Sequence, residues 1–191
     1  MLKPYPKEKI LNLPNSITML RMLAIPVVAW IFHHQDLENY RFWSALIFSL
    51  AFITDQIDGW IAKTFNTTTD FGKLMDPMAD KLIVITGLVL LIEKSEISFW
   101  IGLALILREL AVNSLRGFAT QQGMRLPSSM PARIKSYFEG IAIGLCMLGK
   151  DEAWLSVPWF GIGVICLYIS LFLAYGTAFQ YTLQVFGKKK A

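Results

Sequence analysis

Four aspartates, Asp55, Asp58, Asp76 and Asp80, lie in the stretch TDQIDGWIAKTFNTTTDFGKLMDPMADK, from Thr54 to Lys81, between two strongly apolar segments. Residues three or four apart share a helix face, so the spacing sets Asp55 beside Asp58 and Asp76 beside Asp80. The intervening AKTFNTTTDFGK reads as a chain reversal that turns the two pairs toward each other. Pro77 suits the first turn of the next helix, with Asp76 at or near its N-cap. Aspartate is too short to snorkel to the headgroups, and four uncompensated carboxylates at a bilayer centre would cost on the order of 10 kcal/mol. Carboxylate oxygens converging at a membrane surface describe a site for one or two hard divalent cations, Mg2+ or Mn2+. Gly59 and Gly72 leave room for a ligand to approach. The blander alternative makes the aspartates helix caps and partners of Lys63, Lys73 and Lys81 on a solvated loop. Asp70 falls off the pattern and reads as a loop residue.

The elements that must position these acids follow from composition. The chain has 191 residues, is 54% hydrophobic and only 17% charged, and has a mean hydropathy of +0.48. Soluble domains carry roughly 25% charged residues, so this is a membrane composition, and no nucleic-acid partner is expected. Apolar stretches recur at about residues 17–34, 42–62, 75–92, 97–116, 134–149 and 155–182. Each is near the roughly 17 to 25 residues that cross about 30 Å of hydrocarbon as a helix. The expected fold is an all-α integral membrane protein of six transmembrane helices in one domain. Residues 1–16 form a basic juxtamembrane segment, 17–186 the bundle and 187–191 a basic tail. The opening MLKPYPKEKILNLPNS is basic, is broken by prolines and lacks a cleavage signal, so the first helix is expected to stay.

With the N-terminus in the cytoplasm, Lys3, Lys7, Lys9, Arg21, Lys63, Lys73, Lys81, Arg108, Arg116, Arg125, Arg133, Lys135 and Lys188 to Lys190 fall on the inner side. Of the 18 basic residues only Arg41, Lys94 and Lys150 fall outside. The positive-inside rule then sets both termini in the cytoplasm. The outer connectors are short. Tandem His33 and His34 put their rings on different faces of a helix end, which suits interfacial anchoring better than metal binding. Trp43, Trp100, Trp154 and Trp159 sit near the expected helix ends, as interfacial aromatics do. Cys146 and Cys166 lie inside apolar runs and read as buried thiols.

Further along, LRELAVNSLRGFA places Arg108 and Arg116 about two turns apart, and ARIKSYFE adds Arg133 and Lys135 at the start of the fifth helix. Cations converging at the inner ends of neighbouring helices suit an anionic acceptor such as a phosphorylated polyol. Positive-inside topology with snorkelling accounts for any one of them, Arg133 most readily.

The stretch DQIDGWIAKTFNTTTDFGKLMDPMAD resembles the signature of the CDP-alcohol phosphatidyltransferase family. That signature is D-x-x-D-G-x-x-A-R, eight residues, then G-x-x-x-D-x-x-x-D. The spacer is kept; Lys63 stands where the family usually has arginine, which preserves the charge and loses the planar fork. The resemblance implies transfer of a phosphatidyl group from CDP-diacylglycerol to an alcohol, with release of CMP, by a homodimer whose site opens to the cytosol. It implies that Asp55, Asp58, Asp76 and Asp80 hold two divalent cations and that Asp80 is the base. It further implies that Asp58, Gly59, Ala62, Lys63, Gly72 and Asp76 flank the cytidine diphosphate. Within the family, NLPNSITMLRMLAIPVV, FGKLMDPMADKLIVITGLVLL, REL...LRG and RIKS resemble the bacterial phosphatidylglycerophosphate synthases. That likeness implies glycerol 3-phosphate as acceptor, bound by Arg108, Arg116, Lys135 and Arg133, with Asn15, Thr18 and Arg21 near the nucleotide. It also implies a multi-pass protein of the cytoplasmic membrane. Other acceptors stay open, phosphatidylglycerol giving cardiolipin or an inositol phosphate, as does the remote reading of a divalent-cation transporter. Lys63→Arg is expected to keep full turnover with the KM for CDP-diacylglycerol unchanged or lowered; loss of activity in that variant would break the correspondence at this position.

Overall fold

Long apolar runs separated by short polar connectors form six α-helices and, among the described residues, no strand. The computed structural model describes residues 13–65, 70–124, 130–150 and 157–187, with side chains except at 13–15, 55–65, 70–74 and 76. The helices are α1 Leu13–His33, α2 Tyr40–Phe65, α3 Asp70–Glu93, α4 Phe99–Gln121, α5 Met130–Met147 and α6 Trp159–Gly187. The basic N-terminal stretch, Arg125, Trp154 and Lys188 to Lys190 lie outside the described residues.

Each expected apolar run is a helix, and the boundaries move for reasons that involve proline. Four helices, α1, α2, α3 and α5, begin earlier than their apolar runs; in α1 and α5 the first turns hold Pro14 and Pro131, where a missing N–H is no loss. Pro77 does the opposite of what its spacing suggested: α3 starts at Asp70, so Pro77 is interior and Asp76 is not an N-cap. Asp70 is correspondingly the first residue of α3, not a loop residue. An interior proline removes the bond to the carbonyl four residues back, but the neighbouring Met75, Met78 and Ala79 are good helix formers. The chain between the acidic pairs is therefore mostly helix, and only residues 66–69 separate α2 from α3.

The C-terminal end of α4 closes on Gly123, at φ +73°. The Met124 N–H donates to the Ala119 carbonyl at 2.9 Å and the Gly123 N–H to the Thr120 carbonyl at 3.0 Å, the paired bonds of a Schellman cap that a left-handed glycine permits. At the opposite end of the bundle His33 Nδ1 lies 3.0 Å from Glu93 Oε1, and the His33 and His34 rings are inclined at 75°. Trp43 and Trp100 are exposed there. Both cysteines are free thiols.

The core is built from α1, α2, α3 and α5 around Phe32, Phe48, Leu88 and Ile143, with α6 packed along α5 and α4 bridging α3 and α6. Two helices, α1 and α6, are long and apolar enough to cross a membrane. The others carry ionisable residues within their lengths, and several of these are buried, including Arg108 of α4 and Lys135 and Glu139 of α5. The outward faces are apolar instead, with Leu23, Trp30, Leu50, Phe172 and Phe179 all exposed.

Close approach of α5 and α6 depends on Gly163. A Cβ there would lie 2.9 Å from Cys146 Sγ and 3.0 Å from the Cys146 backbone nitrogen, so backbone would have to move. Gly163→Leu is expected to destabilise the bundle by about 1 to 3 kcal/mol or more, read as a lowered midpoint of thermal unfolding in detergent. Gly176→Leu on the same helix, with nothing within 4 Å of its Cβ position, should leave the midpoint in place.

Candidate active site

At the end of the bundle where α2, α4 and α6 finish and α1, α3 and α5 begin, the helices diverge around a cavity of about 500 Å³. Its wall brings together Asp80 and Lys81 of α3, Arg108, Glu109, Asn113 and Arg116 of α4, Arg133 and Glu139 of α5 and Tyr181 of α6. Position on the helix explains the selection: Glu109, Asn113, Arg116 and Thr120 follow one another at three- and four-residue steps and so share one face of α4.

Asp80 is held from α1. Arg21 is 2% exposed; its Nη1 donates to Asp80 Oδ1 at 2.7 Å and its Nε to the Ala51 carbonyl of α2 at 3.2 Å. One guanidinium thus ties three helices together. It also fixes the direction of a carboxylate that remains 39% exposed to the cavity.

A second set of charges is buried beneath the cavity. Arg108 donates through Nε to the Ala174 carbonyl at 2.9 Å, through Nη1 to Glu109 Oε1 at 2.6 Å and through Nη2 to Thr177 Oγ1 at 2.6 Å. The Lys135 ammonium, 1% exposed, donates to Glu109 Oε1 and to Glu139 Oε2. Glu139 is itself 2% exposed, and its Oε1 has no hydrogen-bond partner. The series Arg108, Glu109, Lys135, Glu139 alternates in sign and links α4 to α5 and α6. Nearer the mouth the Arg116 guanidinium lies over the Tyr181 ring, 5.5 Å from its centroid, within the range of a cation–π contact.

Among the described residues the cavity and its buried layer hold more positive than negative side chains: Lys81, Arg108, Arg116, Arg133 and Lys135 against Asp80, Glu109 and Glu139. Such a wall can receive an anion and still offer carboxylate oxygens beside it. Asp55 and Asp58 stand one turn apart near the end of α2, and Asp76 and Asp80 one turn apart near the start of α3. The two helices are consecutive and packed together. Helical register and the hard oxygen chemistry of the four residues fit divalent cations.

The family model for CDP-alcohol phosphatidyltransferases matches residues 11–176. This chain belongs to that family. It is 36% identical over 176 residues to the CDP-diacylglycerol–glycerol-3-phosphate 3-phosphatidyltransferase of Wigglesworthia glossinidia brevipalpis, covering 90% of this chain and 93% of that one. The protein of the same name from Rickettsia bellii is 36% identical over 173 residues, covering 89% and 93%. A probable phosphatidylglycerophosphate synthase of Mycobacterium tuberculosis is 30% identical over 182 residues, covering 93% and 83%. Members of the family use divalent metal ions.

The residues expected at a CDP-alcohol phosphatidyltransferase site fall into three groups. Asp80, Arg108, Arg116 and Arg133 line one cavity. Thr18 and Arg21 are buried in α1, and Lys135 lies behind the wall, its ammonium engaged by two glutamates. The side chains of Asn15, Asp55, Asp58, Gly59, Ala62, Lys63, Gly72 and Asp76 are outside the described residues. Sequence reasoning assigned no role to Glu109, Glu139 or Asn113. The glutamates had a signal: an acid four residues beyond Lys135, and another beside Arg108, both inside apolar helices where an ionisable group needs a reason. Lys135→Met is expected to lower stability by about 3 to 5 kcal/mol, because it leaves two buried carboxylates without their shared cation. Thermal unfolding in detergent reads this. An unshifted midpoint with only a raised acceptor KM would mean that the ammonium serves the substrate and not the bundle.

Proposed function

We propose that the chain transfers the phosphatidyl group of CDP-diacylglycerol to glycerol 3-phosphate, giving phosphatidylglycerol phosphate and CMP. The observation that carries the acceptor is the cavity in which Asp80 meets Lys81, Arg108, Arg116 and Arg133. A phosphorylated polyol needs cations for its phosphate and a base for its hydroxyl, and that wall offers both. The names of two family members 36% identical to it specify the same pair of substrates.

On this reading Asp55, Asp58, Asp76 and Asp80 hold two divalent cations, Mg2+ or Mn2+, which when bound neutralise charge developing on the pyrophosphate and leaving oxygens. The remaining work belongs to the chain. Asp58, Gly59, Ala62, Lys63, Gly72 and Asp76 flank the cytidine diphosphate, with Asn15 and Thr18 nearby. Arg116 and Arg133 receive the acceptor phosphate, backed by Arg108 and Lys135. The proton of the attacking hydroxyl passes to the Asp80 carboxylate, oriented by the Arg21 bond to its Oδ1. A base within reach of the proton, in a fixed orientation, is the geometric condition for general base catalysis.

The six helices are proposed to span the cytoplasmic membrane, with both termini and the cavity on the cytoplasmic side and the enzyme a homodimer. Support comes from the exposed apolar outer faces and from the gathering of cationic side chains at one end of the bundle. In detergent with Mg2+, purified protein should release CMP from CDP-diacylglycerol when given glycerol 3-phosphate, and EDTA should stop it. Asp55→Asn, Asp58→Asn, Asp76→Asn and Asp80→Asn should each abolish turnover. Release only with phosphatidylglycerol or an inositol phosphate would replace the acceptor, and normal turnover in Asp76→Asn would remove the metal assignment.

A further inference from the structure

The cations of the cavity account for a phosphate, but the wall contains two groups that a phosphate does not need. One is Glu139 of α5. Its Oε2 accepts from Lys135, whereas its Oε1 is buried and has no partner. A carboxylate oxygen is only an acceptor, and leaving one buried without a donor is costly. A phosphate oxygen, itself an acceptor, would be repelled there; a hydroxyl would be welcomed. The second is Asn113 of α4, an exposed amide on the cavity wall. No hydrogen bond forms to its side chain among the described residues. By contrast, the hydroxyls of Ser136 and Thr120 on the same wall already donate to the Ala132 and Arg116 carbonyls, at 3.2 and 2.9 Å.

An amide offers both a donor and an acceptor, and a hydroxyl can use either. Asn113 lies one helical turn from Glu109 and one from Arg116, between the buried charge layer and the cationic mouth. The acceptor proposed above attacks through its terminal hydroxyl and keeps a second one on the neighbouring carbon. We propose that Glu139 and Asn113 form a hydroxyl-reading wall that selects a phosphorylated polyol over a phosphorylated simple alcohol. Glu139 Oε1 accepts from the surviving hydroxyl and the Asn113 amide completes its hydrogen bonding. The inference rests on the reading of glycerol 3-phosphate as acceptor and adds to it the residues that discriminate.

The test compares kcat/KM for glycerol 3-phosphate and for 3-hydroxypropyl phosphate, which keeps the phosphate and terminal hydroxyl but lacks the middle one. A site built to hydrogen-bond a hydroxyl rejects the analogue lacking it strongly, so the parent enzyme is expected to prefer glycerol 3-phosphate by at least about 100-fold. Glu139→Met and Asn113→Leu should each reduce that preference about tenfold or more by lowering activity on glycerol 3-phosphate, with the KM for CDP-diacylglycerol unchanged. A parent that uses both alcohols equally overturns the inference, as does a preference undiminished in both variants. Should Glu139→Met fail to fold, the exposed Asn113 decides: an unaltered preference in Asn113→Leu rejects the wall. No CMP release by the parent with glycerol 3-phosphate would instead be a failure of the functional reading, recognisable because it precedes any comparison of variants.

Discussion

Burying charge in a bundle whose outside is apolar leaves few geometries, and the Arg108–Glu109–Lys135–Glu139 series is the one this chain adopts. Each member is buried or nearly so, and each is paired with a neighbour of opposite sign on the same or a nearby helix. Buried ion pairs are not a reliable source of net stability, but losing one partner is heavily penalised. The effect is directional. Apolar contacts tolerate small rotations of a helix, whereas a guanidinium bonded at once to the Ala174 carbonyl, Thr177 and Glu109 does not. Arg21 does the same for α1, α2 and α3 by joining Asp80 to the Ala51 carbonyl.

On the proposed reading of the site the same cations have two tasks that compete. Arg108 faces the cavity wall, yet three of its donors are committed to α4 and α6. Lys135 is buried and donates to two carboxylates. On that reading a phosphate arriving in the cavity meets Arg108 and Lys135 already paired with carboxylates, with Arg116, Arg133 and Lys81 also on the wall. The buried layer stiffens the site, and the outer cations are proposed to gather its anion.

Much of the fold was legible because long apolar runs announce helices: all six apolar runs are helices, and two of them are long and apolar enough to cross a membrane. What failed was proline. Pro14 and Pro131 begin their helices and Pro77 sits within one, and the local rule that reads proline as punctuation cannot tell these cases apart. The candidate site was legible where residue type and spacing coincide, as with Asp80, Arg108 and Arg116, which the structure brings to one cavity. Glu109 went unassigned because its tie to Lys135 joins α4 to α5 across 26 residues, whereas Glu139, four residues beyond Lys135 on the same helix, was within reach of the spacing rule. The burial of Lys135 is equally a tertiary fact: the spacing placed it at a helix start as a cation for the acceptor, and the helix begins five residues earlier.

The length of α6 has a consequence for how a water-soluble acceptor meets a lipid donor. Its 29 residues rise about 44 Å at about 1.5 Å each, against roughly 30 Å of hydrocarbon, and a tilt of about 20° absorbs only a few ångströms. Set across the bilayer as proposed, α6 projects about two turns into the headgroup layer. If they are the final ones, they carry Tyr181, and with it the aromatic surface under Arg116. The mouth of the cavity then stands in the interfacial zone, level with the phosphates of the surrounding lipids. A small polar molecule can enter from the water while a lipid headgroup slides in from the side, and neither has to be carried through the oil.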